Sequence, residues 1–208
     1  MAALAESIGS EYLSFEGLPM PLTIRLPEPI SDEELIAFSR RNRPFQIERS
    51  ANGELEIMSP LGFDGGQREV FAMAKLFAWA EIHGGVCASS DTGFKLADSA
   101  VRSPDASWVS QSRVDALTGD QRRRFAPICP EFLIEILSES DRRAVLEAKM
   151  DMWIANGALL AWMIDPFAAT VSIYRPGTAA EVLARPDWVE AATVVLGFRL
   201  ETFRLWAK

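Results

Sequence analysis

Residues 132–137 read Phe-Leu-Ile-Glu-Ile-Leu, five apolar side chains around one carboxylate, Glu135. The run is too short for a typical helix and lacks polar alternation, so it reads as a strand covered on both faces. Its downstream neighbours agree. Arg143 to Asn156 has Leu146, Met150 and Trp153 at helical spacing and is stopped by Gly157. Leu160 to Ile164 is a second buried strand, closed by Asp165-Pro166. Two buried strands joined through a helix predict an α/β fold with a mixed central sheet flanked by helices.

Working outward, Ser31-x-x-Glu34 is a capping box that opens a helix to about Asn42. Phe45 to Arg49 and Glu54 to Met58 read as strands joined at Ala51-Asn52-Gly53, a strong hairpin signal. Gln67 to His83 is a long helix, with Val70, Met73, Ala74, Phe77 and Ala80 as its apolar face and Gly84-Gly85 as its stop. Strands follow near Val86–Ala88, Gly93–Leu96 and Ala106–Val109. Ser112 to Phe125 reads as short polar helices or turns that expose Arg122, Arg123 and Arg124. Thr170–Tyr174 and Glu181–Ala184 form a hairpin, and short elements lie around Val194 and Phe203. The first thirty residues, with Pro19, Pro21, Pro27 and Pro29, read as an extended arm. Residues 31–208 show no repeat or linker and read as one domain.

The 208 residues are 49% hydrophobic and 24% charged, the composition of a soluble globular protein. No run approaches the ~20 apolar residues of a membrane span. Met1 to Ser10 lacks a basic n-region and carries Glu6, so the cytoplasm is the expected location. Cys87 and Cys129 fit no paired motif and are expected as reduced, mostly buried thiols. His83 is the single histidine, which excludes a Cys/His zinc site and a Ser-His-Asp unit; at a helix end before Gly84 it reads as a cap. The net charge of −8 argues against coating nucleic acid by bulk electrostatics. The cations are 17 Arg against 4 Lys, a bias compatible with bidentate phosphate contacts.

Three residues carry the chemistry. An ionised Glu135 inside an apolar strand is costly unless paired or bound to a cation; the plain alternative is a buried salt bridge to arginine, or a strand end that surfaces. Asp105 follows Pro104 at the mouth of a strand, where an ordinary turn carboxylate is the alternative. Two carboxylates on neighbouring strands repel unless a divalent cation sits between them, and oxygen ligands suit Mg²⁺ or Mn²⁺. Lys149 lies roughly 40° from Trp153 and roughly 60° from Leu146 around its helix, at the border of the inner face. Its alternative is a snorkelling side chain.

In this order (Pro-Asp, then Glu in an apolar strand, then Lys) the chain resembles the PD-(D/E)XK nuclease superfamily. One branch fits in particular, the cyanobacteria-rich Uma-two family of restriction-endonuclease-like proteins. The likeness runs through GELEIMSP (Gly53 to Pro60), DTGFKL (Asp91 to Leu96), VRSPDASWVS (Val101 to Ser110) and RFAPICPEFLIEILSESD (Arg124 to Asp141). KMDMWIANGALLAWMIDP (Lys149 to Pro166), IYRPG (Ile173 to Gly177) and LGFRL (Leu196 to Leu200) continue it, so that residues 32 to 205 are covered. Two features depart from the family pattern: Ser138-Glu139-Ser140-Asp141 stands where Ser-Pro-Ser-Asp is usual, and Gly65-Gly66 where many members have a histidine.

The resemblance implies a single-domain restriction-endonuclease-like fold. It implies Asp105 and Glu135 as metal-binding carboxylates, the carbonyl of Ile136 as a further ligand, and Lys149 as the residue that positions or activates water. The superfamily's usual lysine position, two residues after the glutamate, is Leu137 here, so the lysine has moved to the next helix. The implied activity is a Mg²⁺- or Mn²⁺-dependent DNA endonuclease, with a homodimer matching duplex symmetry. The acidic charge leaves two rivals: a non-catalytic nucleic-acid-binding or complex-forming module on the same fold, and a hydrolase of another phosphoester.

Overall fold

A computed structural model describes residues 21–191 and 193–207. The first twenty positions of the expected arm lie outside the described residues; its remainder includes β1 (Leu22–Ile24), which pairs antiparallel with β3. The chain continues through α1 (Asp32–Arg41), β2 (Gln46–Arg49), β3 (Leu55–Met58) and α2 (Phe63–His83). Next come β4 (Val86–Ser89), β5 (Phe94–Lys95), β6 (Val101–Arg102), β7 (Ala106–Val109) and two short helices, α3 (Gln111–Asp115) and α4 (Gly119–Arg122). The second half holds β8 (Phe132–Ile136), α5 (Arg143–Ala155), β9 (Leu160–Asp165), β10 (Thr170–Tyr174), β11 (Glu181–Ala184), β12 (Trp188–Glu190) and β13 (Arg199–Glu201).

The central sheet has the order β11-β10-β9-β8-β7-β4. Only β8 and β9 run parallel in it, because α5 carries the chain over between them. All residues of both strands are buried, as their unbroken apolar runs predict. On one face Phe132, Ile134 and Ile136 pack with Ala72 and Leu76 of α2 and with Phe198 and Leu200. On the other, Leu133 and Leu137 pack with Leu146, Met150 and Trp153 of α5. The mixed sheet flanked by helices is the fold read from the sequence.

A second, five-stranded sheet, β1-β3-β2-β6-β5, was not anticipated. It encloses its own cluster with Leu35 and Phe38 of α1, whose Ser31–Glu34 capping box forms as read. Strand β6 is only two residues long and gave no periodic signal. The tail differs too: its paired strands are β12 and β13, whereas Val194 and Phe203 lie in turns.

Helix α2 starts earlier than its apolar spacing suggests and buries another face. Its buried residues are Ala72, Leu76 and Ala80, whereas Val70 and Phe77 are exposed. Alanines on either side of Leu76 let the helix lie close to the sheet, which spacing of large residues could not reveal. The helix ends as read. Gly85 has φ +86°, and a Cβ there would fall 2.2 Å from the Trp108 indole nitrogen, so only glycine fits. His83 stacks on Trp79 and hydrogen-bonds the Trp79 carbonyl at 2.9 Å, closing the last turn.

Candidate active site

Strands β7 and β8 pair antiparallel with Ala106 opposite Ile134. One further step in that register sets Asp105 beside Glu135. The Asp105 Oδ2 atom accepts the Ile136 amide at 2.6 Å, which fastens it across the strand end. Glu135 points to the α5 side with Leu133 and Leu137. Its Oε1 lies 3.0 Å from Lys149 Nζ and accepts the Trp153 indole N–H at 2.8 Å. Asp105, Glu135 and Lys149 are therefore brought together, and Ile136 joins them through its amide. The buried partner of Glu135 is a lysine, where the arginine alternative had been considered.

The five-stranded sheet supplies the opposite wall. Glu48, 1% exposed, accepts the Ser103 amide at 2.8 Å, Arg102 Nη1 at 2.9 Å and Lys149 Nζ at 3.2 Å. Arg102 also grips Glu56, at 2.6 and 2.7 Å. From α2, Glu69 stands beside Asp105 and accepts the Ser90 hydroxyl at 3.2 Å. Between these groups lies a cavity of about 340 Å³, and Ser138, Asp141 and Arg142 from the β8–α5 turn line it as well.

Glu48, Glu69 and Arg102 were missed by the sequence reading. A signal for the first existed: the Asn52-Gly53 hairpin sets Glu48 directly opposite Glu56, a like-charge pair that needs a cation between them. Glu69 stands on the Ala72–Leu76–Ala80 face, which the larger residues of α2 concealed.

The electrostatics divide these acids. Burial pushes Glu135 up to about 8; the Lys149 charge opposes this, while Asp105 and Glu48 add to it. Asp105 is raised well above the usual aspartate range by burial and by Glu69, against the pull of Lys149 and the Ile136 amide. Glu69 is raised as well, mainly by burial. Glu48 goes the other way: burial is outweighed by Lys149, Arg102 and the Ser103 amide, and its carboxyl falls below the ordinary value. Lys149 is raised although burial opposes it, because Glu135 and Glu48 hold its charge.

Among the described residues no three His, Cys, Asp or Glu side chains converge as a complete ion cage. Asp105 and Glu135 nevertheless fit a hard cation by donor chemistry. Mg²⁺ commonly takes one or two carboxylates and keeps water or substrate oxygens elsewhere. Two raised carboxyls side by side are what a divalent ion would neutralise. The remaining arginines and cysteines have other surroundings. Arg122 and Arg123 pair with Asp115 and Asp120, and Arg124 pairs with Glu33. Arg143 pairs with Glu147 and Asp165. Both cysteines are free thiols, with burial pushing Cys87 up to about 11 and Cys129 to about 12. No described helix is long and apolar enough to cross a membrane.

The sequence pattern of the Uma2 family, described as "Putative restriction endonuclease", matches residues 32–202. The chain belongs to the Uma2 family. Among solved structures it is similar to a "putative nuclease belonging to DUF820" from Anabaena variabilis, at 20% identity and a TM-score of 0.68. That likeness covers 86% of this chain and 98% of the other, and at such identity it speaks for the fold. No curated protein matches the chain. The Uma2 match spans the cavity-lining residues Glu48, Glu69, Asp105, Glu135 and Lys149, and membership implies nuclease chemistry.

Proposed function

We propose that this Uma2 protein is a metal-dependent phosphodiester hydrolase, an endonuclease acting on DNA. Asp105 and Glu135, with the Ile136 carbonyl, would hold Mg²⁺ or Mn²⁺, and Lys149 is the residue that positions the attacking water. One observation carries the reading: two carboxyls stand side by side at adjoining strand ends on a cavity wall, and one of them, Glu135, meets a lysine from the next helix at 3.0 Å. A bound divalent ion would polarise the scissile phosphate and lower the pKa of water.

The protein's own groups do the rest. The β7–β8 register fixes the carboxyls relative to each other. The Lys149 ammonium, held charged by its neighbours, donates hydrogen bonds and offsets the negative charge that develops on phosphate. Arg142, on the cavity wall, offers a cation for a neighbouring phosphate. A homodimer belongs to this reading, since cutting both strands needs two sites, and equilibrium sedimentation tests it.

Cleavage of supercoiled, linear and branched DNA with Mg²⁺ or Mn²⁺, lost in chelator and in Asp105→Asn, is the expected result. No cleavage under any of these conditions would overturn the reading and leave a binding module. The cavity's modest size and acidic lining favour a second reading, hydrolysis of a smaller phosphoester, which the same variant tests on mononucleotide esters.

A further inference from the structure

A lysine on a helix reaches its site through a flexible four-carbon stem, and something must remove that freedom if the ammonium is to act at a fixed point. Lys149 Nζ has three contacts: Glu135 at 3.0 Å, Glu48 at 3.2 Å and the Ser103 carbonyl at 3.4 Å. Glu135 is needed elsewhere in the nuclease reading. Glu48 is already engaged by the protein itself. Its Oε1 takes the Ser103 amide together with Lys149, and its Oε2 takes Arg102, so three donors occupy most of its acceptor capacity.

Arg102 is fixed in turn by the two bonds to Glu56, its neighbour across the cavity wall. The side chains form one chain, Glu56–Arg102–Glu48–Lys149–Glu135, which runs from the five-stranded sheet to the central one. The five-stranded sheet thus grips the lysine that the central sheet's site requires.

We propose that Glu48 is a positioning residue that holds the Lys149 ammonium beside Asp105 and Glu135 and ligates no metal itself. The proposal rests on the nuclease reading for what the lysine is positioned to do. Glu48→Gln tests it, because the new amide must turn its NH₂ toward either Arg102 or Lys149, both donors. With supercoiled DNA and Mn²⁺, kcat should fall about 10²-fold, the cost of a misplaced group, with KM nearly unchanged. Calorimetric Mn²⁺ affinity of the variant should match wild type.

A second readout needs no activity. In the metal-free protein, acylation of Lys149 by acetic anhydride should rise severalfold relative to Lys75 and Lys95 when Glu48 becomes Gln. Should Glu48→Gln fail to fold, Glu56→Gln loosens Arg102 at one remove from a half-exposed position, and should lower kcat in the same sense but less. Unchanged kcat and unchanged Lys149 labelling would overturn the proposal. So would a weakened Mn²⁺ affinity, which would make Glu48 a ligand. A wild type that cuts no DNA would sink the nuclease reading instead, and the labelling would then decide the clamp alone.

Discussion

Glu48 and Glu135 flank one ammonium group, and both are almost fully buried, yet their surroundings drive them in opposite directions. Glu48 has Arg102, the Ser103 amide and Lys149, and its carboxyl sits below the ordinary value. Glu135 has Lys149 and the Trp153 indole but faces Asp105, and it is pushed up to about 8. Burial is the same adverse influence on both. The balance is set by how many donors each carboxylate receives against how many carboxylates surround it. A carboxylate with its donors complete is a structural anchor, whereas one left short of charge is suited to take a cation.

The largest way to break this contrast is to remove the donor that distinguishes the two. Arg102→Met leaves Glu48 and Glu56 facing each other without the cation that bridges them, and should cost about 3–5 kcal/mol in urea unfolding. A loss under about 1 kcal/mol, the size of an exposed pair, would mean that Arg102 is not the source of the difference. Next in size is Lys149→Met, which should lower cleavage about 10²–10³-fold, the range for losing one preorganised donor. Its Mn²⁺ affinity, measured by calorimetry, should be unchanged or tighter, because a nearby positive charge has gone.

The two glutamate-to-glutamine changes sharpen the contrast by sign. Glu135 has a raised folded value, so the native metal-free protein holds a proton that the unfolded chain releases above about 4.5. Its stabilising contribution is complete below that pH and declines until about 8, at about 1.4 kcal/mol per pH unit at most. Glu135→Gln removes this decline, so the variant should gain on wild type between pH 5 and pH 8. Glu48 has a lowered value, and its contribution is present above the ordinary value and is lost in acid. Glu48→Gln should therefore cost about 1–3 kcal/mol at neutral pH and less below pH 4. Denaturant melts of both variants across pH decide this, and equal behaviour would erase the distinction.

The smallest effect belongs to Arg122, Arg123 and Arg124. They are exposed and paired with the chain's own acids, so changing all three to Ala should alter stability by less than about 1 kcal/mol. The salt dependence of DNA binding should stay as it was, whereas Arg142→Ala should reduce that slope by about one.

The contrast also explains what the sequence could disclose. Phe132–Leu137 and the α5 stripe of Leu146, Met150 and Trp153 are dense with large side chains, and their period gave the central sheet, its crossover and the place of Lys149. Helix α2 buries Ala72, Leu76 and Ala80 and leaves Val70 and Phe77 exposed, so the same rule shifted the buried face and hid Glu69. The Asp105–Glu135 pair was legible because each residue interrupts an apolar or proline-marked strand. Glu48 was harder to see: its pairing opposite Glu56 was a signal, but a polar residue alternating with Ile47 in a hairpin reads as solvent-facing. It faces a cavity only because its own five-stranded sheet, with the two-residue strand β6 carrying Arg102 beside it, lies against the central sheet and α5.

Thermal melting with and without Mn²⁺ in wild type, Asp105→Asn, Glu135→Gln and Glu48→Gln tests the central claim most directly. At a hundredfold excess over the dissociation constant, Mn²⁺ should stabilise wild type and Glu48→Gln by about 2.7 kcal/mol each. Asp105→Asn and Glu135→Gln should show little or no shift. An equal shift in all four proteins, or none in wild type, would contradict a metal site built on Asp105 and Glu135.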